Sequence, residues 1–139
     1  MTQQEAYNPS LNNYANGVMF EEKAKRLIEE KGYQIIKIRY KNHFGEIDII
    51  ATHKYLQENS LKNGLNFKIS RQCLVFFEVK SRQNDELIES ILRTPQIKRI
   101  KNSALYFIAQ NTEYQNHDIR FDFILFDKKK EVTHFENYF

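Results

Sequence analysis

The stretch LVFFEVKSR, residues 74–82, is an apolar run with one carboxylate inside it and basic residues at its end. Runs of this kind are typical of strands that are buried on both faces, where an unpaired charge is costly. Because side chains alternate along a strand, Glu78 and Lys80 are expected on one face, with Phe77 and Val79 on the other. An acid and a base on one face of such a strand require an explanation.

A second apolar strand, GEIDIIA at residues 45–51, also carries acids. Glu46 and Asp48 are expected on one face, with Ile47 and Ile49 opposite. If the two strands are neighbours, Asp48 and Glu78 converge. Two carboxylates, completed by a backbone carbonyl and waters, are what Mg²⁺ or Mn²⁺ takes from a protein. Lys80 beside that metal would position an attacking water, and the metal would stabilise charge on a phosphate.

A structural role for the same residues is the alternative. Glu78 and Lys80 would then lie at a frayed strand end, or Asp48 and Lys80 would form a cross-strand ion pair. The pattern E-x-K alone arises often by chance. What favours the metal site is the combination of an acid in one apolar strand, the E-x-K strand after it and an acidic helix before both.

That helix is predicted over GVMFEEKAKRLIEEKG, residues 17–32, after a flexible N-terminal arm at residues 1–16. Phe20, Ala24 and Ile28 fall on one face, and Gly32 is a suitable C-terminal stop. Glu21 lies at the edge of the apolar face and Glu22 on the solvent side. Glu21 is therefore a candidate third metal ligand. An ordinary glutamate favoured by the helix dipole is the alternative.

The remaining periodicities predict a mixed sheet flanked by helices, an α/β (α+β) fold in the order α-β-β-β-α-β(-β). Residues 54–72 show no clear period but contain Asn63-Gly64, which indicates an inserted hairpin extension or a mobile loop. Strands are expected at residues 33–40, 46–53, 73–82 and 119–126 and near 132–139, and helices at 85–93 and 94–110.

Composition limits the class of protein. The 139 residues suit one domain, expected over residues 17–139, and 41% are hydrophobic. The net charge of +3 permits a polyanionic partner without requiring one. Cys73 is the only cysteine, which excludes an internal disulfide and a cysteine zinc cluster. No signal peptide and no apolar run of about 20 residues is visible, so we expect a cytoplasmic protein with no membrane partner.

Basic residues follow the candidate site along the chain. If they cluster in space, they form a phosphate-tracking surface around the acids; a solvated basic face is the alternative. Gln96 loosely matches a helix glutamine of some nucleases. We expect a structural ion pair for Arg120 and Asp122 and assign no histidine to metal. The candidate nucleic-acid-binding residues are Lys41, Arg82, Lys98, Arg99 and Lys101, with Arg39 and Lys80 beside them.

The ordered set of motifs resembles the YraN family of small bacterial proteins, which have a restriction-endonuclease-like fold. The resemblance covers about residues 17–126. It rests on Gly17, Glu21 and Ala24, then GY at 32–33, GEIDIIA at 45–51, VFFEVKSR at 75–82, Lys98, and RFD at 120–122.

Through this fold the family is similar to the PD-(D/E)xK nucleases and to the archaeal Holliday junction resolvases. The resemblance implies a Mg²⁺-dependent DNA endonuclease in which Asp48, Glu78, Lys80 and Glu21 are catalytic, the three acids as metal ligands. The long segment between the two acidic strands departs from the family pattern. The alternatives are a nucleic-acid-binding protein without turnover and a protein–protein adaptor. A homodimer is a further expectation, because the related resolvases are dimers.

Overall fold

The computed structural model describes residues 9–139 and contains a five-stranded sheet with helices on both faces, which confirms the predicted fold class. The strands lie in chain order, β1 to β5. Strands β3 and β4 are parallel, and the other neighbours are antiparallel. The elements are α1 (Pro9–Glu30), β1 (Gln34–Asn42), β2 (Gly45–Ser60), β3 (Asn66–Ser81), α2 (Ile88–Ile91), α3 (Thr94–Gln110), β4 (Asp118–Phe126) and β5 (Val132–Phe135).

Two hydrophobic clusters hold the helices on the sheet. On one face α1 contributes Phe20, Ala24 and Ile28, as its periodicity predicts. On the other face α3 contributes its own apolar side chains, among them Ile100 and Phe107. Each fully buried large apolar side chain contributes about 1.5–3 kcal/mol of transfer free energy. The crossover through α3 allows β3 and β4 to run parallel.

Helix α1 begins earlier than predicted. It starts at Pro9 rather than Gly17, so the prediction of a flexible arm is wrong for residues 9–16 and lies outside the described residues for 1–8. A proline suits the first turn because its missing N–H has no helical partner there. Tyr14 in the added turns contacts the Arg39 guanidinium of β1, which gives this polar segment a tertiary partner.

Helix α2 is shorter than predicted. Only Ile88–Ile91 is helical within residues 85–93, and Leu92 and Arg93 have extended backbone. Pro95 restricts the chain just before it, and a break at this point lets α3 start in a new direction at Thr94.

Residues 54–72 form a hairpin rather than a loop. Strands β2 and β3 stay paired out to Ser60 and Asn66, and the turn between them has Gly64 at a φ of +81°. Strand β1 pairs with β2 only as far as Thr52, and β4 pairs with β3 only from Cys73. The outer part, which we call the hairpin arm (residues 54–72), is therefore a two-stranded ribbon beyond the main sheet.

In the part of the chain that the structure describes, no helix has the length and apolar character to cross a membrane.

Candidate active site

A cleft of about 510 Å³ opens where the start of β2 meets the end of β3. Its walls come from α1, β1 and α3, so both helices frame the same end of the sheet. Asp48, Glu78 and Lys80 all line this cleft, and Glu21 and Gln96 face it from the two helices. The sequence prediction that the two acidic strands meet is consistent with this arrangement.

The tight turn before β2 places its first residues against α3. The Asn42 amide donates to the carbonyl of Ser103 at 3.2 Å, and the Ser103 hydroxyl donates to Asn42 Oδ1 at 3.1 Å. Gly45 has a φ of +155°, and a Cβ there would lie 3.4 Å from Ser103 Oγ and 3.5 Å from Arg99 Cβ. These are ordinary contact distances, so it is the positive φ, and not a lack of space, that favours glycine at the start of β2.

Asp48 occupies an irregular point of β2. Ile47 packs in the α3 cluster and Ile49 in the α1 cluster, so the expectation that both lie opposite Asp48 on one face is wrong. The neighbouring strand is also irregular, because Arg39 has a φ of +52°. Asp48 Oδ2 accepts a hydrogen bond of 2.7 Å from the backbone N–H of Val79, which ties β2 to β3 beyond their last paired residues.

Glu78 is buried, with 5% of the residue exposed, and it pairs with Phe123 within the β3–β4 ladder. The alternative of a frayed strand end is therefore wrong. Glu78 Oε1 accepts a hydrogen bond of 2.8 Å from Gln96 Nε2, and Lys80 Nζ lies 3.3 Å from the same oxygen. Lys80 thus pairs with Glu78, and the described residues contain no Asp48–Lys80 ion pair of the kind first considered.

Burial is the main influence on the protonation of the two carboxyl groups. Burial and then the charge of Glu78 raise the pKa of Asp48 to about 8, although the Val79 N–H acts in the opposite direction. Burial also raises the pKa of Glu78, against the lowering effect of Lys80 and of a hydrogen bond with Asp48. Buried carboxyl groups with raised pKa values are typical of functional sites.

Glu21 reaches the cleft but is held by a cation. Arg39 Nε lies 2.5 Å from Glu21 Oε2, and Arg39 also contacts Tyr14. No three Asp, Glu, His or Cys side chains among residues 9–139 form a metal-binding group. Glu21 is thus paired with Arg39 in this structure, and its role as a third metal ligand stays a prediction. Glu22 is exposed, as predicted.

The donors that remain fit a hard divalent cation. Mg²⁺ is commonly bound by one or two carboxylates, with waters and substrate phosphates completing its octahedron. Asp48 and Glu78 could supply the carboxylates, and a cation bound there would stabilise the ionised forms that burial disfavours. The cleft volume leaves space for the waters.

The predicted basic surface is divided by the structure. Lys41, Lys80, Arg99 and Arg39 line the cleft. Arg82 does not, since its guanidinium donates to the carbonyl of Glu86 at 2.8 Å in a separate pocket.

Lys98 and Lys101 also lie outside the cleft lining, and the Lys101 ammonium lies 5.6 Å from the Phe121 ring centre. Successive helical residues are rotated by about 100°, which turns both lysines away from Arg99.

Two contacts were poorly visible in the sequence. Gln96 had only a loose match, yet its amide holds Glu78. Arg39 was counted only as a basic residue, yet it neutralises Glu21. The turn glycine and asparagine before Glu46 were the available signal for the docking of β2 on α3, since such residues mark tight turns.

A second charged cluster lies elsewhere in the sheet, around Asp122. Arg120 donates to both Asp122 oxygens, at 2.8 and 2.7 Å, which confirms the predicted structural ion pair. His134 Nε2 and the backbone N–H of Asn137 contact the same carboxylate at 2.7 and 2.9 Å. Because His134 Nδ1 lies 3.0 Å from the Lys31 ammonium and so accepts from it, Nε2 carries the proton donated to Asp122.

The fold and the site define a small α+β protein with an acidic cleft at one end of a mixed five-stranded sheet. The chain belongs to the uncharacterised protein family UPF0102, whose model matches residues 20–126, and the resemblance to the YraN family is confirmed.

Relatives are spread across distant bacteria. A UPF0102 protein of Sulfurihydrogenibium sp. is 34% identical over 88% of this chain and 92% of its own length. A second, from Ehrlichia ruminantium, is 39% identical over 77% of this chain and 69% of its own length. A third, from Lachnoclostridium phytofermentans, is 31% identical over 93% of this chain and 96% of its own length.

Proposed function

We propose that this protein is a Mg²⁺- or Mn²⁺-dependent nuclease that hydrolyses DNA phosphodiester bonds in the cleft. The observation that carries the proposal is the pair of acids, Asp48 and buried Glu78, with Lys80 in contact with Glu78 and other cations on the walls. Two carboxylates and an adjacent lysine are the groups that metal-assisted attack of water on a phosphate requires.

Asp48 and Glu78 would hold the metal. When bound, the metal supplies Lewis-acid stabilisation of negative charge on the phosphate. The protein orients both carboxylates beforehand, since the Val79 N–H donates to Asp48 and the Gln96 amide donates to Glu78. Such supporting hydrogen bonds fix the direction of the ligand oxygens.

Lys80 would position the attacking water. Its ammonium lies 3.3 Å from Glu78 Oε1, with a third of the side chain exposed to the cleft. A water held between this ammonium and the Glu78 carboxylate would be oriented next to the reacting phosphate. Arg99 and Lys41, which are exposed on the cleft walls, would bind the neighbouring phosphates of the strand.

Glu21 would act as a positioning residue. Its ion pair with Arg39 joins α1 to β1 at the edge of the cleft, so it keeps the wall in place without contacting the reacting atoms.

The test is cleavage of labelled DNA in linear duplex, single-stranded and four-way forms, with Mg²⁺, Mn²⁺ or EDTA. We expect metal-dependent cleavage by the unaltered protein and a loss of at least about 100-fold in Asp48→Asn and Lys80→Ala. Glu22→Gln and Lys128→Ala, which change exposed residues outside the cleft, should cleave as the parent does.

Circular dichroism of every variant establishes that the fold is retained. Cleavage that survives in Asp48→Asn would show that the activity lies elsewhere. If no DNA form is cut with either metal, and binding is equal in the parent and in Asp48→Asn, the nuclease proposal is wrong and the protein is a nucleic-acid-binding module.

A further inference from the structure

The hairpin arm carries the net charge of the whole chain. It contains four basic residues and one acidic residue, Glu58. The rest of the chain has 17 residues of each sign and is formally neutral. The basic residues of the arm are Lys54, Lys62, Lys68 and Arg71. An excess of one sign confined to one projecting element points to a partner of the opposite sign.

The two faces of the hairpin arm differ in character. Lys54 pairs with Gln72, Leu56 with Ser70, and Glu58 with Lys68, so these side chains share one face of the ribbon. Along the same strand this polar face continues through Leu74 and Phe76 to Glu78 and Lys80, because side chains alternate with a period of two. The lysines of the arm thus lie on the sheet face that carries α3 and the acidic pair.

The opposite face of the arm carries exposed apolar side chains among polar ones. Phe67 and Ile69 are 38% and 42% exposed there, beside Tyr55. Arg71 also belongs to this face, but its guanidinium donates to both oxygens of Asp118 at 2.8 Å. Lys54 on the polar face and Lys62 in the turn are exposed and form no ion pair within the described residues. Lys68 is also exposed on the polar face and forms an ion pair of 3.5 Å with Glu58, so three lysines and one glutamate leave the polar face and the turn with a net positive charge.

We propose that the polar face of the hairpin arm is a second nucleic-acid contact, which binds the sugar-phosphate backbone away from the cleft. The inference rests on the proposed function, because it takes the partner of the cleft to be a nucleic acid. A two-stranded ribbon has the width of the DNA major groove, and lysines at its tip and on one face meet the phosphates that border it. Two arms facing each other would oppose like charges, which disfavours a second copy as the occupant.

The spacing of the two contacts sets the length of nucleic acid that the protein covers. From Asp48 to Ser60, strand β2 advances about 40 Å at about 3.3 Å per residue. That length corresponds to about 12 base pairs at about 3.4 Å each. Exposed Lys98 and Lys101 of α3 lie on the same face of the sheet, which gives these predicted residues a place outside the cleft.

The test is fluorescence anisotropy with the full chain in EDTA, so that binding is measured without cleavage. The arm variant combines Lys54→Gln, Lys62→Gln and Lys68→Gln, and the matched control combines Lys128→Gln, Lys129→Gln and Lys130→Gln in the exposed turn before β5. Probes are labelled duplexes of about 10 and about 24 base pairs, together with a single strand of the longer length.

With the longer duplex, the arm variant should bind about tenfold more weakly, and the slope of log K against log salt should fall by about 2–3. The control variant should change the slope by less than about 1, and the arm variant should bind the short duplex nearly as the parent does. The single strand shows which nucleic acid the arm prefers. Equal affinities and slopes for the arm and control variants would overturn the inference.

Light scattering separates the remaining occupant. If the parent is a dimer, and Phe67→Ser with Ile69→Ser makes it monomeric without weakening DNA binding, the arm is a self-association surface and the inference fails. The binding and cleavage experiments test the two proposals separately. If the arm variant loses DNA binding and the parent cuts no DNA, the arm contact is supported and the nuclease proposal is wrong. If the parent cuts DNA and the arm variant binds as the parent does, the nuclease proposal is supported and the arm contact is wrong.

Discussion

Two acidic sites on neighbouring strands of one sheet differ in their surroundings. One carboxylate has all its hydrogen-bond partners within the protein, and the other site faces a cleft where it could bind an external ligand. Asp122 on β4 is fully buried and accepts four hydrogen bonds within the described part of the chain. Asp48 and Glu78, on β2 and β3, lie close to each other, and among the described residues Lys80 is the one cation in contact with the pair.

The pKa values move in opposite directions for this reason. Burial acts to raise the pKa of Asp122, but the hydrogen bonds from His134 and Arg120 outweigh it and hold the pKa below its ordinary value. Burial raises the pKa of Asp48 and of Glu78, and the charge of Glu78 raises that of Asp48 further. The first site is complete in the folded chain. At the second site the carboxylate forms lack such a set of donors, and a bound cation would stabilise them, which is the property expected of a metal site.

Removing Asp122 should have the largest effect on stability. Asp122→Ala leaves Arg120, which is 17% exposed, without its bidentate partner, and we expect the free energy of unfolding to fall by about 3–5 kcal/mol. Asp48→Asn keeps the shape of the side chain and is neutral without taking up a proton, so stability should be unchanged or higher. Urea denaturation compares the two, and equal losses would end the distinction between the sites.

Mg²⁺ should stabilise the folded protein by binding at the Asp48–Glu78 site and not at Asp122. At a concentration of about 100 times Kd, Mg²⁺ should raise the free energy of unfolding of the parent by about 2.7 kcal/mol. Asp48→Asn should lose this increase, while Glu22→Gln retains it. Thermal unfolding with and without Mg²⁺ measures the difference, and an Asp48→Asn protein that responds as the parent does would refute the two-carboxylate site.

The dependence of stability on pH should separate the sites further in EDTA. The folded pKa of Asp48, about 8, exceeds its unfolded value of about 3.9, so the folded state holds a proton that the unfolded state has lost. Stability should therefore fall as pH rises from about 4 to about 8, by at most about 1.4 kcal/mol per pH unit from this group.

The contribution of Asp122 to stability changes with pH in the opposite direction. Its folded pKa is depressed, so its contribution is present above about pH 4 and is lost as pH falls through the folded value. Denaturant curves between about pH 3 and 8 should show both the rise at low pH and the fall at high pH in the parent, and the fall should be smaller in Asp48→Asn, where Glu78 is the remaining carboxyl with a raised pKa. If the stability of the parent and of Asp48→Asn changed with pH in the same way, the raised pKa assigned to Asp48 would be contradicted.

The smallest effect is expected at Gln96. Gln96→Leu removes the amide that donates to Glu78, and we expect about tenfold weaker Mg²⁺ binding with a loss of about 1 kcal/mol in stability. Gln110→Leu, at the exposed end of the same helix, is the matched control. Calorimetric titration with Mg²⁺ measures the affinities, and equal values for the two variants would show that Gln96 does not position Glu78.

Much of the fold was predictable because it rests on local periodicity. The bounds predicted for α3 match the structure, and the apolar run of β3 and the alternation of β4 identified two central strands. The start of α1 was missed because residues 9–16 have no apolar stripe, and that segment instead contacts β1 through Tyr14. The sequence did not distinguish a hairpin from a loop at residues 54–72, because strands that are exposed on both faces show no pattern of burial.

The order of residues specifies the chemistry at each position of the cleft: carboxylates at 48 and 78, an amine at 80, and the strand and helix periods that bring them to one end of the sheet. Which charges meet depends on contacts between distant parts of the chain. Arg39 joins Glu21, Gln96 joins Glu78, and Asp48 remains beside Glu78. The physical reason is that a period of 2 or 3.6 fixes the face of a side chain, whereas ion pairs form across long separations in the chain and depend on backbone irregularities such as the left-handed Arg39.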